Sequence, residues 1–174
     1  MSTPTKTNKR LGVKVTGTPD KGQCVTVEND DTLQKLFGTD IPDVADGLLR
    51  HCIKVLKRDE ITDEHAGNDE RMFLVAAVTE IAPRDGVERM LAVQMAATHV
   101  AMIRAGRWMA NADNLAQVQA HNNGYNKLAR TYTAQMEALR KHRNGGKQTV
   151  VVQHVTVEGG GQAIVGNVGP GEGR

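Results

Sequence analysis

Six histidines and two cysteines are the side chains of this sequence best suited to ligate a metal or to act as nucleophile and base. A structural zinc site needs four such ligands, normally in closely spaced pairs. His51, His65, His99, His121, His142 and His154 show no such spacing with one another or with Cys24 and Cys52. His51 and Cys52 are neighbours, but adjacent residues of a helix point to different faces. A thiol–imidazole nucleophile also needs a third, orienting group, and none is evident. His99 stands among Ala, Met and Val and reads as a partly buried structural histidine. The carboxylates of KRDEITDEHAGNDE are dense but fall in a predicted loop, so solvated surface is expected of them. GGGQAIVG lacks the GxxxxGK[ST] pattern that cradles phosphates. The expectation is a chain without catalytic residues, cofactor or metal site.

The cations form a better candidate. Formal net charge is only +2, yet the charges are segregated. Lys6, Lys9, Arg10, Lys14 and Lys21 make the start basic, and the stretch from Glu28 to Arg89 is acidic. Between Lys127 and Lys147 the chain is basic again, with Arg130, Arg140, Lys141 and Arg143 against Glu137 alone. A nucleic-acid backbone is the natural counterpart of such a segment, and binding of that kind weakens steeply with salt. The competing reading is an ordinary solvated helix end. Repetition of the segment around a ring would favour the first.

The elements that must position these residues read as mainly α. LGVKVTG and CVTVEND, separated by TPDKGQ, predict a weak N-terminal hairpin. Asp40 and Pro42 open a helix with the apolar stripe Val44, Leu48, Leu49, Cys52, Ile53 and Leu56. Asn68 or Asp69 caps MFLVAAVTEI, which Pro83 ends. Asp85 starts a long helix to Met109. Its seam Leu91, Met95, Thr98, Met102, Ala105 and Met109 steps alternately by four and three. A second stripe, Met90, Val93, Ala97, Val100 and Trp108, predicts partners on two sides. One partner is the helix from Asp113 to His142, with the ladder Val118, Asn122, Tyr125, Ala129, Tyr132, Met136 and Leu139. The short link between the two predicts an antiparallel hairpin. Gly124 marks either a close crossing or the true start of that helix, and Gly145 and Gly146 stop it.

QTVVVQHVTVEGGGQAIVGNV then reads as a C-terminal β-hairpin, with Val151, Val155 and Val157 on one face and Ile164 in the return strand. An isolated hairpin is marginal in water. Its partner is either the N-terminal hairpin of the same chain or the same strands of other subunits, closed as an intersubunit β-barrel. The chain thus divides into a basic arm with a weak hairpin (1–30), an acidic helical region (31–83), a long helical hairpin as oligomerisation core (84–146), a C-terminal hairpin (147–168) and a tail (169–174). Leu91, Met95, Met102, Met109, Tyr125, Tyr132 and Met136, with Val151, Val155, Val157 and Ile164, are the residues expected to join copies into a homo-oligomer. With no run near the ~20 apolar residues of a membrane span, no membrane partner is expected. The cytoplasm of a bacterial host is the expected compartment.

ERMLAVQMAATHVAM, NKLARTYTAQMEALRKHRNGG and VVVQHVTVEGGGQAIVGNV together resemble a family of phage- and prophage-encoded proteins. A helical hairpin followed by strands also resembles the assembly region of phage terminase small subunits. That resemblance implies a non-catalytic ring that binds double-stranded DNA and serves a terminase large subunit during genome packaging. The helix-turn-helix common in that class would fall at Asp40 to Ile81, which is acidic and lacks an evident basic recognition helix. DNA contacts would then fall to Arg130, Arg140, Lys141, Arg143 and Lys147, with Lys9 and Arg10 assisting. The alternative is a structural or adaptor protein that binds another phage protein without nucleic acid.

Overall fold

The computed structural model describes residues 11–64 and 69–145. The expected N-terminal hairpin is present as β1 (Val13–Thr18) and β2 (Gly22–Val27), antiparallel in the register Val13↔Val27 to Thr18↔Gly22. Alternation buries Val13 and Val15 and leaves Lys14 in solvent. Gly17 has φ +90°, and a Cβ there would collide with the Gly22 carbonyl oxygen, so the hairpin needs glycine at this point.

Three short helices follow. α1 (Thr32–Phe37) is not expected from the sequence; it buries Phe37 completely and ends at Gly38 in the left-handed region. α2 (Pro42–Lys54) starts with proline in its first turn, as expected, and buries Ala45, Leu48, Leu49 and Cys52. Leu56 is buried just beyond it, but Val44 is exposed and Ile53 only half-buried, so the inward stripe is narrower than the sequence suggests. α3 (Arg71–Ile81) buries Leu74, Val75 and Val78. Of its two candidate caps, Asn68 lies outside the described residues, and Asp69 Oδ1 accepts from the Arg71 backbone N–H at 3.2 Å. The helix stops at Ala82, φ 50°, just before Pro83, a neighbour that disfavours helical backbone.

The long pair is α4 (Gly86–Ala110) and α5 (Leu115–Arg143), roughly 37 and 43 Å long at 1.5 Å per residue. Asp85 Oδ1 caps α4 by accepting from Glu88 N–H at 2.9 Å, and Asn114 Oδ1 caps α5 through Gln117 N–H at 3.0 Å. Facing pairs show the antiparallel run: Trp108 meets His121, Gly106 meets Tyr125, and His99 meets Tyr132. α5 passes unbroken through Gly124, where a Cβ would touch nothing. That glycine therefore marks neither a start nor a crossing. The close approach is at Gly106, whose Cβ would lie 3.4 Å from the Tyr125 ring.

α4 does have two covered sides, and one chain covers both. Ala92, Val93, Ala96 and Val100 join the core formed with β1 and α1–α3. Met95 and Ala105 are also buried, and the antiparallel register sets Met95 opposite the turn of α5 holding Gln135 and Met136. Leu91, Met102 and Met109 are half-buried, while Met90 and Trp108 of the second stripe are exposed. The α4 seam therefore does not require a second subunit. The C-terminal hairpin, with Val151, Val155, Val157 and Ile164, lies outside the described residues. No helix among the described residues is long and apolar enough to cross a membrane.

Candidate nucleic-acid interface

α5 is rich in Gln, Asn, Thr and Ala, and of its 29 residues only Leu139 is buried. Its inner side packs along α4, and a few discrete contacts reinforce that packing. Tyr132 meets His99 in a tilted contact at 6.0 Å between centroids, and His99 meets Phe73 of α3 at 5.8 Å. Near the other end His121 lies 5.5 Å from Trp108, over which Lys57 Nζ sits at 4.5 Å. His99 is thus the half-buried structural histidine the sequence suggests.

A polar latch fixes the last turn. Arg143 donates to the Glu88 carboxylate from Nε at 3.2 Å and from Nη2 at 3.0 Å. The same Nη2 reaches the carbonyl oxygens of Ile81 at 2.8 Å and Ala82 at 3.2 Å, which the end of α3 leaves without helical partners. His142 Nε2 lies 2.7 Å from Asp85 Oδ2. The hydrogen bond from Arg143 holds the Glu88 carboxyl below its ordinary range. Asp85 is lowered first by the Glu88 backbone N–H and then by His142, while His142 is raised by Asp85. Each group thus stabilises the charged form of its partner.

The opposite side of α5 is bare. At 100° per residue, Lys127, Arg130 and Lys141 fall within about 60° of one another and roughly opposite Leu139 and Tyr132. All three are exposed, as are Thr131, Ala134 and Ala138 between them. These small side chains let a flat polyanion approach the helix closely. The stripe spans fourteen residues, about 21 Å along the axis. Arg140 is exposed to one side of it, and the exposed carboxylate Glu137 lies at the edge of the stripe, about 20° from Arg130 and 40° from Lys141. Among the described residues none of these four cations forms an ion pair, in contrast to Arg143.

Of the sequence candidates, Arg130, Arg140 and Lys141 therefore remain available on the surface. Arg143 is turned inward and anchors the helix. Lys9, Arg10 and Lys147 lie outside the described residues. Lys127 is not among those candidates, although its fourteen-residue spacing from Lys141 places it on the same face.

Elsewhere, charge is structural. The loop carboxylates expected to be solvated are in part tightly bound. Glu60 is buried and grips Arg104 of α4 through both oxygens. Arg71, with a fully buried side chain, donates to Asp69, to Asp63 and to the Gly17 carbonyl at 2.8, 2.7 and 2.8 Å. Its hydrogen bonds lower the Asp63 carboxyl. Nothing local in the sequence marks the Glu60–Arg104 pair or the Arg71 bond to Gly17, because they join segments 44 and 54 residues apart.

Chemistry at the remaining candidates is weak. Burial pushes the Cys52 thiol up to about 12, so it stays protonated and unreactive, while His51 is exposed on another face. Asp85, Glu88 and His142 bring ligand atoms within 4.8 Å of one another, a juxtaposition no spacing in the sequence announces. Asp85 already caps α4 and Glu88 already holds Arg143, so a cation there would compete with a guanidinium. Comparison with family models, with curated proteins and with solved structures finds no match.

Proposed function

We propose that this is a non-catalytic phage or prophage protein, similar in role to terminase small subunits, that binds double-stranded DNA and assists genome packaging as a homo-oligomer. The observation that carries the reading is the outward face of α5, where Lys127, Arg130 and Lys141 stand exposed over small side chains. Arg140 assists from the side. α3 supports the choice of surface by contrast: its one cation, Arg71, is buried, so it offers no basic recognition helix. Copies meet through exposed apolar side chains of the helical hairpin such as Trp108, Leu115 and Met136. The large terminase subunit or another phage protein is the partner that DNA binding would serve.

A competing reading, an adaptor for another protein, draws on the exposed carboxylates Asp40 and Asp43 at the start of α2, which would repel a phosphate backbone. Band shifts of duplex DNA at low salt separate the two. The packaging reading expects a shift that the triple variant K127Q/R130Q/K141Q loses, and a light-scattering mass above that of one chain. Equal shifts for wild type and variant would remove α5 as the interface.

A further inference from the structure

The two edges of the N-terminal sheet are unlike. On β1, Gly17 N–H donates to Asp63 Oδ2 at 2.6 Å and Gly17 C=O accepts from Arg71 at 2.8 Å, so side chains plug that edge. β2 is exposed along its whole length and has no strand beyond it among the described residues. Glu28 N–H donates to Gly12 C=O, and the antiparallel alternation continued from this pair turns the backbone groups of Gln23, Val25 and Val27 to the open side. GQCVTV has no charge and no proline, the usual protections of an edge strand. Val25 and Val27 share the inward face with Val15 and Val13, yet are 41% and 36% exposed. An open backbone edge and the uncovered half of an apolar face thus coincide in one strand.

We propose that β2 pairs antiparallel with β2 of a second copy of this chain, joining two hairpins into one sheet about a two-fold axis at Val25. The contact is isologous, the same strand serving on both sides. The backbone selects the register. With Val25 opposite the partner's Val25, and Gln23 opposite the partner's Val27, every open N–H and C=O of these residues is paired. Sliding by two residues would set Val27 against Lys21 of the turn, or Gln23 against Asn29 of the bend that follows β2. Packing agrees with this register. A two-fold axis normal to the sheet keeps both valine faces on one side, so Val15 and Val25 continue into the partner's Val25 and Val15. Each exposed Val25 then gains a β-branched neighbour across the new ladder. Charge selects the direction. Lys21 comes opposite the partner's Asn29, between the partner's Glu28 and the partner's Asp30. Among the described residues, none of Lys21, Glu28 and Asp30 forms an ion pair. A symmetric parallel pair would instead bring Glu28 and Asp30 against their own copies and turn the two valine faces to opposite sides.

No residue of α5 takes part, so DNA binding and this contact stand or fall separately, and the native Cys24 on β2 provides the test. In the register given, Cys24 lies opposite the partner's Thr26 at a non-hydrogen-bonded position, where Cα atoms approach to about 4.5 Å, within disulfide range. Cys24 and the partner's Cys24 are diagonal neighbours, roughly 7–8 Å apart and beyond that range. Cys52 is buried and does not compete. Wild type, Thr26→Cys and C24S/T26C, each in the full chain, are oxidised with diamide and run on non-reducing gels. A disulfide-linked dimer is expected for Thr26→Cys alone, with fragment mass spectra joining Cys24 to position 26. No dimer in Thr26→Cys, or equal dimer in all three proteins, would overturn the pairing. Val25→Pro supplies a second readout. The Val25 N–H faces the open edge, so proline there costs the hairpin none of its own bonds. The light-scattering mass should halve relative to wild type at equal concentration, with helical circular dichroism unchanged. An unchanged mass would overturn the proposal. So would a monomeric wild type whose Gln23, Val25 and Val27 amides exchange slowly, since another segment of the same chain would then hold the edge.

Discussion

α3 and α5 show two ways of using a helix. α3 has eleven residues and buries four of them, including an arginine. α5 has 29 and buries one. α3 is a structural wedge whose apolar side chains are covered by α1, α2, α4 and β1. α5 lies along one neighbour, pinned by aromatic contacts and a terminal latch, and presents most of its surface to solvent. A long helix that contributes little to the core is free to carry a charge pattern, and this one does.

The largest test of that contrast is a core truncation. Leu74→Ala in α3 should lower stability by about 2–5 kcal/mol in urea denaturation, through reduced burial and the cavity left behind. Ala134→Ser on the outer face of α5 should scarcely change it, since the side chain is exposed. A comparable loss at both sites would mean that α5 is covered in solution. Next comes the latch. Arg143→Ala removes charge-assisted bonds to Glu88 and leaves the Ile81 and Ala82 carbonyls without that donor, a loss of about 1–3 kcal/mol. Exchange of amides in the last turns of α5 should accelerate while those of α3's centre stay protected.

The smallest effect is in pH. His142 is raised in the folded state, so its contribution is full below its ordinary 6.5 and is lost as pH rises through the higher folded value. Asp85 is lowered, so its contribution is full above its ordinary 3.8 and is lost as pH falls through the lower folded value. Protection at the end of α5 should therefore be greatest between those two ordinary values, after correction for intrinsic exchange. It should decline at higher pH, and both groups are exposed enough to keep the change modest. A His142→Gln variant should flatten the upper limb. An unchanged limb would mean that the His142–Asp85 contact carries no weight.

Much of this architecture is legible in local pattern. The hairpin, the Pro42 start, the Asp85 cap and the antiparallel long pair all follow from alternation, capping chemistry and four-three spacing within short windows. α1 is not legible, because six residues hold too little periodicity to stand out. The partners of α4 are harder, since a stripe shows that a face must be covered and not which chain covers it. Arg143 illustrates the limit for the site. It lies one turn beyond Leu139 and so on the inward side, but its ion pair with Glu88 spans 55 residues and has no local sign. The outward triad is within reach of sequence reasoning through the phase shared by Lys127, Arg130 and Lys141.

The salt dependence of duplex DNA binding tests the central claim most directly, with anisotropy titrations run on the wild type and on K127Q/R130Q/K141Q. Removing one cation from the phosphate backbone should flatten the slope of log K against log salt by about 0.9, so the triple variant should be shallower by about 2.7. K14Q/K35Q, exposed and away from α5, should leave the slope unchanged. Wild-type slope retained by the triple variant, or no binding at low salt, would contradict the account.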